Sequence, residues 1–84
     1  MKIAFLADPL DGFKIYKDST FAMMREAARR GHEIYFFEQR HMALEMGVVS
    51  AEVARIHLTG EQDAWYRADE ARDLRLSSFD AIIE

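Results

Sequence analysis

Between Lys2 and Glu38 two short apolar runs flank one amphipathic segment, and this pattern leaves few ways to fold. The run Lys2 to Ala7 is continuous, without the alternation of a half-exposed strand, and it stops at Asp8-Pro9. A short strand apolar on both sides belongs inside a sheet covered on both faces, the usual state of parallel strands. From Ser19 to Arg30 the period changes: Phe21, Met24, Ala27 and Ala28 share one stripe while Arg25, Glu26, Arg29 and Arg30 point elsewhere. Asp18, Ser19 or Thr20 can cap the start of that helix, and Gly31 supplies the left-handed residue that ends it. Arg29, Arg30 and His32 fall near the negative end of the helix dipole, where cations stabilise. Glu33 to Glu38, with Ile-Tyr-Phe-Phe at its centre, is the second strand. The segment therefore reads as a right-handed βαβ unit with parallel strands, an α/β Rossmann-like fold.

Beyond it the pattern is less decisive. Met42 to Met46 reads as a short strand and Gly47 as a turn. Ala51 to Thr59 alternates, with Ala54, Ile56 and Leu58 opposite Arg55 and His57. Gln62 to Leu74 admits two readings: Ala64, Ala68 and Ala71 suit a helix, whereas Trp65-Tyr66 after Gly60 suits the return arm of a hairpin. Phe79 to Ile83 is a last apolar run of strand length.

Composition narrows the function. The 84 residues suit one small domain, 50% hydrophobic and 31% charged, with no cysteine. Disulfides, thiolate metal sites and a cysteine nucleophile are thereby excluded, which fits a cytoplasmic location. Eleven Lys and Arg are interleaved with fifteen Asp and Glu for a net charge of −4, so no nucleic-acid surface is expected. No run approaches the roughly 18 apolar residues of a membrane span. The three histidines are too far apart for a local zinc motif, no nucleophile and base can be paired, and Glu61, Asp63, Asp69, Glu70 and Asp73 with Arg67 and Arg72 read as solvated ion pairs.

The loop after the first strand, Asp8-Pro9-Leu10-Asp11-Gly12, has one glycine where a dinucleotide fingerprint has three, and the Walker pattern also fails. Two carboxylates occupy the place where a pyrophosphate needs bare amides. What remains is a loop of mixed charge, Asp8, Asp11, Lys14, Lys17 and Asp18, delivered to a helix start bearing Ser19 and Thr20. One reading is a capped helix after a solvated loop. The other is a site for a carboxylate or a zwitterionic, amino-acid-like ligand.

Asp8-Pro9 followed by Lys17-Asp18-Ser19-Thr20-Phe21-Ala22-Met23, with the helix closing on Arg29-Arg30-Gly31-His32-Glu33, resembles the amino terminus of the prokaryotic glutathione synthetases. Ala51-Glu52-Val53-Ala54-Arg55, Trp65, Asp73-Leu74, Leu76 and Phe79-Asp80-Ala81-Ile82-Ile83 extend the resemblance in order over essentially the whole chain. It implies the domain preceding the ATP-grasp unit of a ligase that joins γ-glutamylcysteine and glycine with ATP and Mg²⁺, through an acyl phosphate. It also implies that residues 1–84 are an incomplete domain, inactive alone, with the nucleotide and metal sites in the missing ATP-grasp unit, and that the enzyme is a homo-oligomer. It favours the hairpin around Trp65 and places Asp8, Lys17, Ser19 and Thr20 on the substrate-side wall of the cleft, with no catalytic residue matched here. Two other classes compete: the amino-terminal half of a sugar-nucleotide glycosyltransferase, which would want a glycine-rich turn after the first strand, and a receiver-like signalling module, which would want paired acids there.

Overall fold

A computed structural model of the chain describes residues 1–6, 19–60 and 66–83. In chain order the elements are β1 (Lys2–Leu6), α1 (Ser19–Arg29), β2 (Glu33–Phe37), a 3₁₀ turn (Gln39–His41), β3 (Met42–Glu45), β4 (Val48–Leu58), β5 (Tyr66–Ala68), β6 (Arg72–Arg75), a second 3₁₀ turn (Leu76–Ser78) and β7 (Ala81–Ile83). The predicted βαβ unit is present. β1 pairs with β2 in parallel, Ile3 opposite Ile34 and Leu6 opposite Phe37, and β7 joins the other edge of β1 in parallel, Ala4 opposite Ile82.

The sheet is not parallel throughout. β4 runs antiparallel to β2, with Ile34 opposite Ile56 and Phe36 opposite Ala54. β4 is also longer than its alternation predicts, starting at Val48 instead of Ala51, and it carries partners on both edges. β2 and β3 lie in succession along one edge; β5 and β6 lie along the other, all antiparallel to it. The ambiguous segment is thus a hairpin return over its described residues, as the resemblance favours, interrupted between Ala68 and Arg72, where the Asp69 amide donates to the Arg55 carbonyl at 2.9 Å.

Strand alternation divides the core into two layers. Ile3, Phe5, Ile34 and Ile56 face α1 and meet Met24 and Ala27, with Phe21 and Ala28 packed alongside. Ala4, Phe37, Ala51 and Val53 face away and are covered by Leu6, Tyr35, Leu74, Leu76 and Phe79. The Phe79 ring meets Tyr35 edge-on, with centroids 5.1 Å apart. This explains the continuous apolar run in β1: Ile3, Ala4 and Phe5 are all buried, alternately on the two faces.

Two glycines set the reversals. Gly31, at φ +83°, ends α1 with the His32 amide donating to Ala27 at 3.1 Å and the Gly31 amide to Ala28 at 3.0 Å, the paired bonds of a Schellman closure. Met46 (φ 51°) and Gly47 (φ 81°) form the two-residue turn between β3 and β4, where right-handed strand twist demands two left-handed residues. The entry to β7 is held to the start of β1 by reciprocal bonds, the Lys2 amide to Asp80 Oδ2 at 2.7 Å and the Asp80 amide to the Lys2 carbonyl at 2.8 Å.

Two outcomes test this account. Phe5→Ala, in the fully buried layer under α1, should cost roughly 3–5 kcal/mol, read from the urea midpoint. Met46→Asn should instead raise stability by up to about 1 kcal/mol, because asparagine tolerates the left-handed region better and the Met46 side chain, being fully exposed, gives up no packing. A fall in stability for Met46→Asn would contradict the turn geometry.

Candidate functional site

The three parallel strands end together. Leu6 is level with Phe37 and Phe5 with Ile83, so the carboxyl ends of β1, β2 and β7 define one rim of the sheet. α1 crosses the sheet between β1 and β2, and its amino terminus, Ser19 and Thr20, returns to that rim. This is where open α/β sheets bind ligands, and the positive end of a helix dipole favours an anion there. Of the four residues assigned to this wall, the structure places Thr20, half-buried in the first turn of α1, and the backbone of Ser19. Asp8 and Lys17 lie outside the described residues, as do Asp11, Lys14 and Asp18.

The structure adds a residue that the sequence reading passed over. Glu38 follows β2 at the same rim, its side chain only 17% exposed, and it accepts a hydrogen bond from Arg40 Nε at 3.1 Å. Its signal was present, as an acid directly after an apolar strand, but charged residues flank most strands and the spacing alone did not separate it.

The other polar side chains form two groups away from the rim. On the helix surface Arg29 and Arg30 both bind Glu26, with Arg30 Nε 3.0 Å from Oε1, and these hydrogen bonds hold the Glu26 carboxyl down at about 2. These arginines therefore neutralise a side chain one turn back as well as facing the helix end. His32 accepts from the Met1 amino group at 3.2 Å. Arg25 lies over the Phe21 ring, 5.7 Å from its centroid.

On the sheet face opposite α1, at the end of β2 remote from the rim, Tyr35 Oη donates to Glu33 Oε1 at 3.1 Å and Arg55 Nη1 lies 3.4 Å from the same oxygen. Desolvation, followed by this bond to Glu33, pushes the Tyr35 hydroxyl above its usual range. Nearby, His57 Nε2 donates to Asp69 Oδ2 at 2.9 Å and Arg67 approaches Oδ1 at 3.4 Å, so Asp69 of the acidic stretch forms surface pairs, while Glu61 and Asp63 lie outside the described residues. Among the described residues no group of three or more His, Asp or Glu side chains is placed to hold a metal, and no helix is long and apolar enough to cross a membrane.

Asp69 offers a pH test. Its carboxyl is held below the ordinary 3.8, chiefly by the His57 hydrogen bond. A carboxylate depressed in the folded state adds stability above its unfolded value and loses it as pH falls through the folded value. The Asp69 contribution should therefore fade below about pH 3.8. A carbon-detected titration should show Asp69 moving up towards the ordinary value in His57→Ala; an unchanged midpoint would show that the pair does not form.

Comparison with known proteins assigns the chain to a family. The profile of the prokaryotic glutathione synthetase N-terminal domain matches residues 1–84. Glutathione synthetase of Ralstonia nicotianae is 51% identical over 83 residues, covering 99% of this chain and 26% of the relative. Those of Nitrosomonas europaea and Vibrio cholerae are 40% identical over 86 residues and 39% over 83, covering 99% of this chain and 27% and 26% of the relatives. The chain thus spans about a quarter of the length of the curated relatives it matches. With its entire length matched and its helix start and strand ends arranged as described, the chain belongs to the prokaryotic glutathione synthetase N-terminal domain family.

Proposed function

We propose that this domain is the substrate-facing wall of an ATP-dependent ligase that makes glutathione from γ-glutamylcysteine and glycine. The observation that carries the proposal is the family match over all 84 residues. In this reading the cysteine carboxylate of the dipeptide is activated as an acyl phosphate; the glycine amine attacks its carbonyl carbon, the C–N bond forms and phosphate leaves. Among the described residues no group of three or more His, Asp or Glu side chains is placed to hold a metal ion. In this reading ATP and Mg²⁺ are bound by an ATP-grasp unit in the remaining length of the ligase, which works in the cytoplasm, where ATP is available.

The part assigned to this chain is recognition. Its substrates carry carboxylates and amines, and the rim supplies matching groups: the positive end of α1, the Thr20 hydroxyl and the Glu38 carboxylate, with Asp8, Lys17 and Ser19 as further members of the wall. Holding two small charged molecules in register lowers the barrier without any nucleophile from this domain. The glycosyltransferase and receiver readings have no observation in their favour once the family is assigned.

The test uses a full-length ligase carrying this domain. Lys17→Ala and Thr20→Val should each raise KM for γ-glutamylcysteine or glycine about tenfold or more, the scale of one lost hydrogen bond to a charged group, with KM for ATP little changed. Variants that leave both peptide-substrate KM values unchanged would remove the residues from the wall. Residues 1–84 alone should show no ATP hydrolysis dependent on γ-glutamylcysteine; turnover by this segment would overturn the division of labour.

A further inference from the structure

Among the described ion pairs, the one formed by Glu38 stands apart by its burial. Glu26, Glu33 and Asp69 have side chains at least 40% exposed, where such pairs contribute little. The Glu38 side chain is 17% exposed, yet its partner Arg40 is 73% exposed and donates through Nε alone, at 3.1 Å to Oε1. Among the described residues, Oε2 of Glu38 and both Nη groups of Arg40 make no hydrogen bond. A carboxylate largely withdrawn from water, with accepting capacity unused, binds a charged donor more strongly than a solvated one does.

Backbone geometry fixes where this pair lies. Glu38 continues β2 in extended conformation, φ −104° and ψ 151°, so strand alternation puts its side chain on the face of Ile34 and Phe36, the face that α1 covers. It stands one residue beyond the paired strand ends Leu6 and Phe37. Arg40 follows in the 3₁₀ turn Gln39–His41. The pair therefore occupies the carboxyl rim, on the side to which the start of α1 and Thr20 return.

An acid beside an exposed guanidinium is the complement of an α-amino acid group, which carries an ammonium and a carboxylate on one carbon. The proposed reactants contain that group twice, in glycine and at the γ-glutamyl end of the dipeptide. Glycine is the poorer fit, because its amine must be unprotonated to attack and a neighbouring carboxylate favours the protonated form. The γ-glutamyl ammonium takes no part in the bond that forms and stays charged throughout. We propose, on the ligase reading above, that Glu38 and Arg40 are the receptor for the γ-glutamyl end: Glu38 accepts from its ammonium and Arg40 donates to its α-carboxylate.

Two substrate analogues test this on the full-length ligase: N-glutarylcysteine, which lacks only the ammonium, and N-(4-aminobutyryl)cysteine, which lacks only the α-carboxylate. Wild type should use each at least about tenfold less well than γ-glutamylcysteine in kcat/KM, the scale of one hydrogen bond to a charged group. Glu38→Gln should lose about tenfold or more on γ-glutamylcysteine but little on the glutaryl compound, so that discrimination for the ammonium collapses. Arg40→Gln, which alters an exposed side chain and keeps the test if Glu38→Gln does not fold, should lose discrimination against the aminobutyryl compound. KM for glycine and for ATP should stay near wild type in both. A wild type that uses all three dipeptides alike overturns the proposal, as does unchanged discrimination in the variants. Equal losses on all three dipeptides overturn it too, since they would show a purely structural role. Glutathione formed with unchanged discrimination defeats the receptor assignment alone, whereas a wild type that forms no glutathione defeats the proposed function and this assignment with it.

Discussion

Everything in this domain is organised around β4, because an eleven-residue strand paired on both edges must find backbone partners along its whole length. Its carboxyl half, through Ala54 and Ile56, extends the sheet of β1 and β2 on the helix side. Its amino half leaves that sheet and is flanked by β3 and β6 instead. One strand therefore serves two structures, a compact α/β body and a projecting ribbon. The switch of partners is what breaks the neighbouring strands: β2 gives way to β3 through the turn Gln39–His41, and β5 to β6 across residues 69–71.

The body is economical. Among the described residues one helix covers one face, and the other face is covered by side chains from the return segment, Leu74, Leu76 and Phe79. That arrangement leaves the carboxyl rim of the parallel strands as the edge to which the start of α1 returns. At the rim the fold brings a positive helix end beside strand termini, while the ion pairs of Glu26, Glu33 and Asp69 occupy the helix surface and the opposite face. Those pairs are exposed, so they contribute specificity of local packing more than stability.

Under the proposed function the domain supplies position and not reactivity, since the proposed reaction depends on holding charged reactants in register. Glu38 illustrates how the fold places a charged group at the rim. An acid of no special sequence context becomes a half-buried group at the rim because β2 ends there and Arg40 satisfies it.

Much of this was written in local pattern. The period of Phe21, Met24, Ala27 and Ala28 determined the buried stripe of α1, Gly31 its end, and the unbroken run Ile3-Ala4-Phe5 a strand covered on both faces, because each depends only on side-chain spacing and backbone sterics. The string from Lys17 to Met23 likewise carried the family. Pairing was another matter. Whether Tyr66–Ala68 and Arg72–Arg75 were helix or strand, and that β4 would begin at Val48 and run antiparallel beside parallel strands, depended on partners far away in sequence. Only the tertiary structure decided those points, since a strand's hydrogen bonds are made with another segment, whereas a helix makes its own.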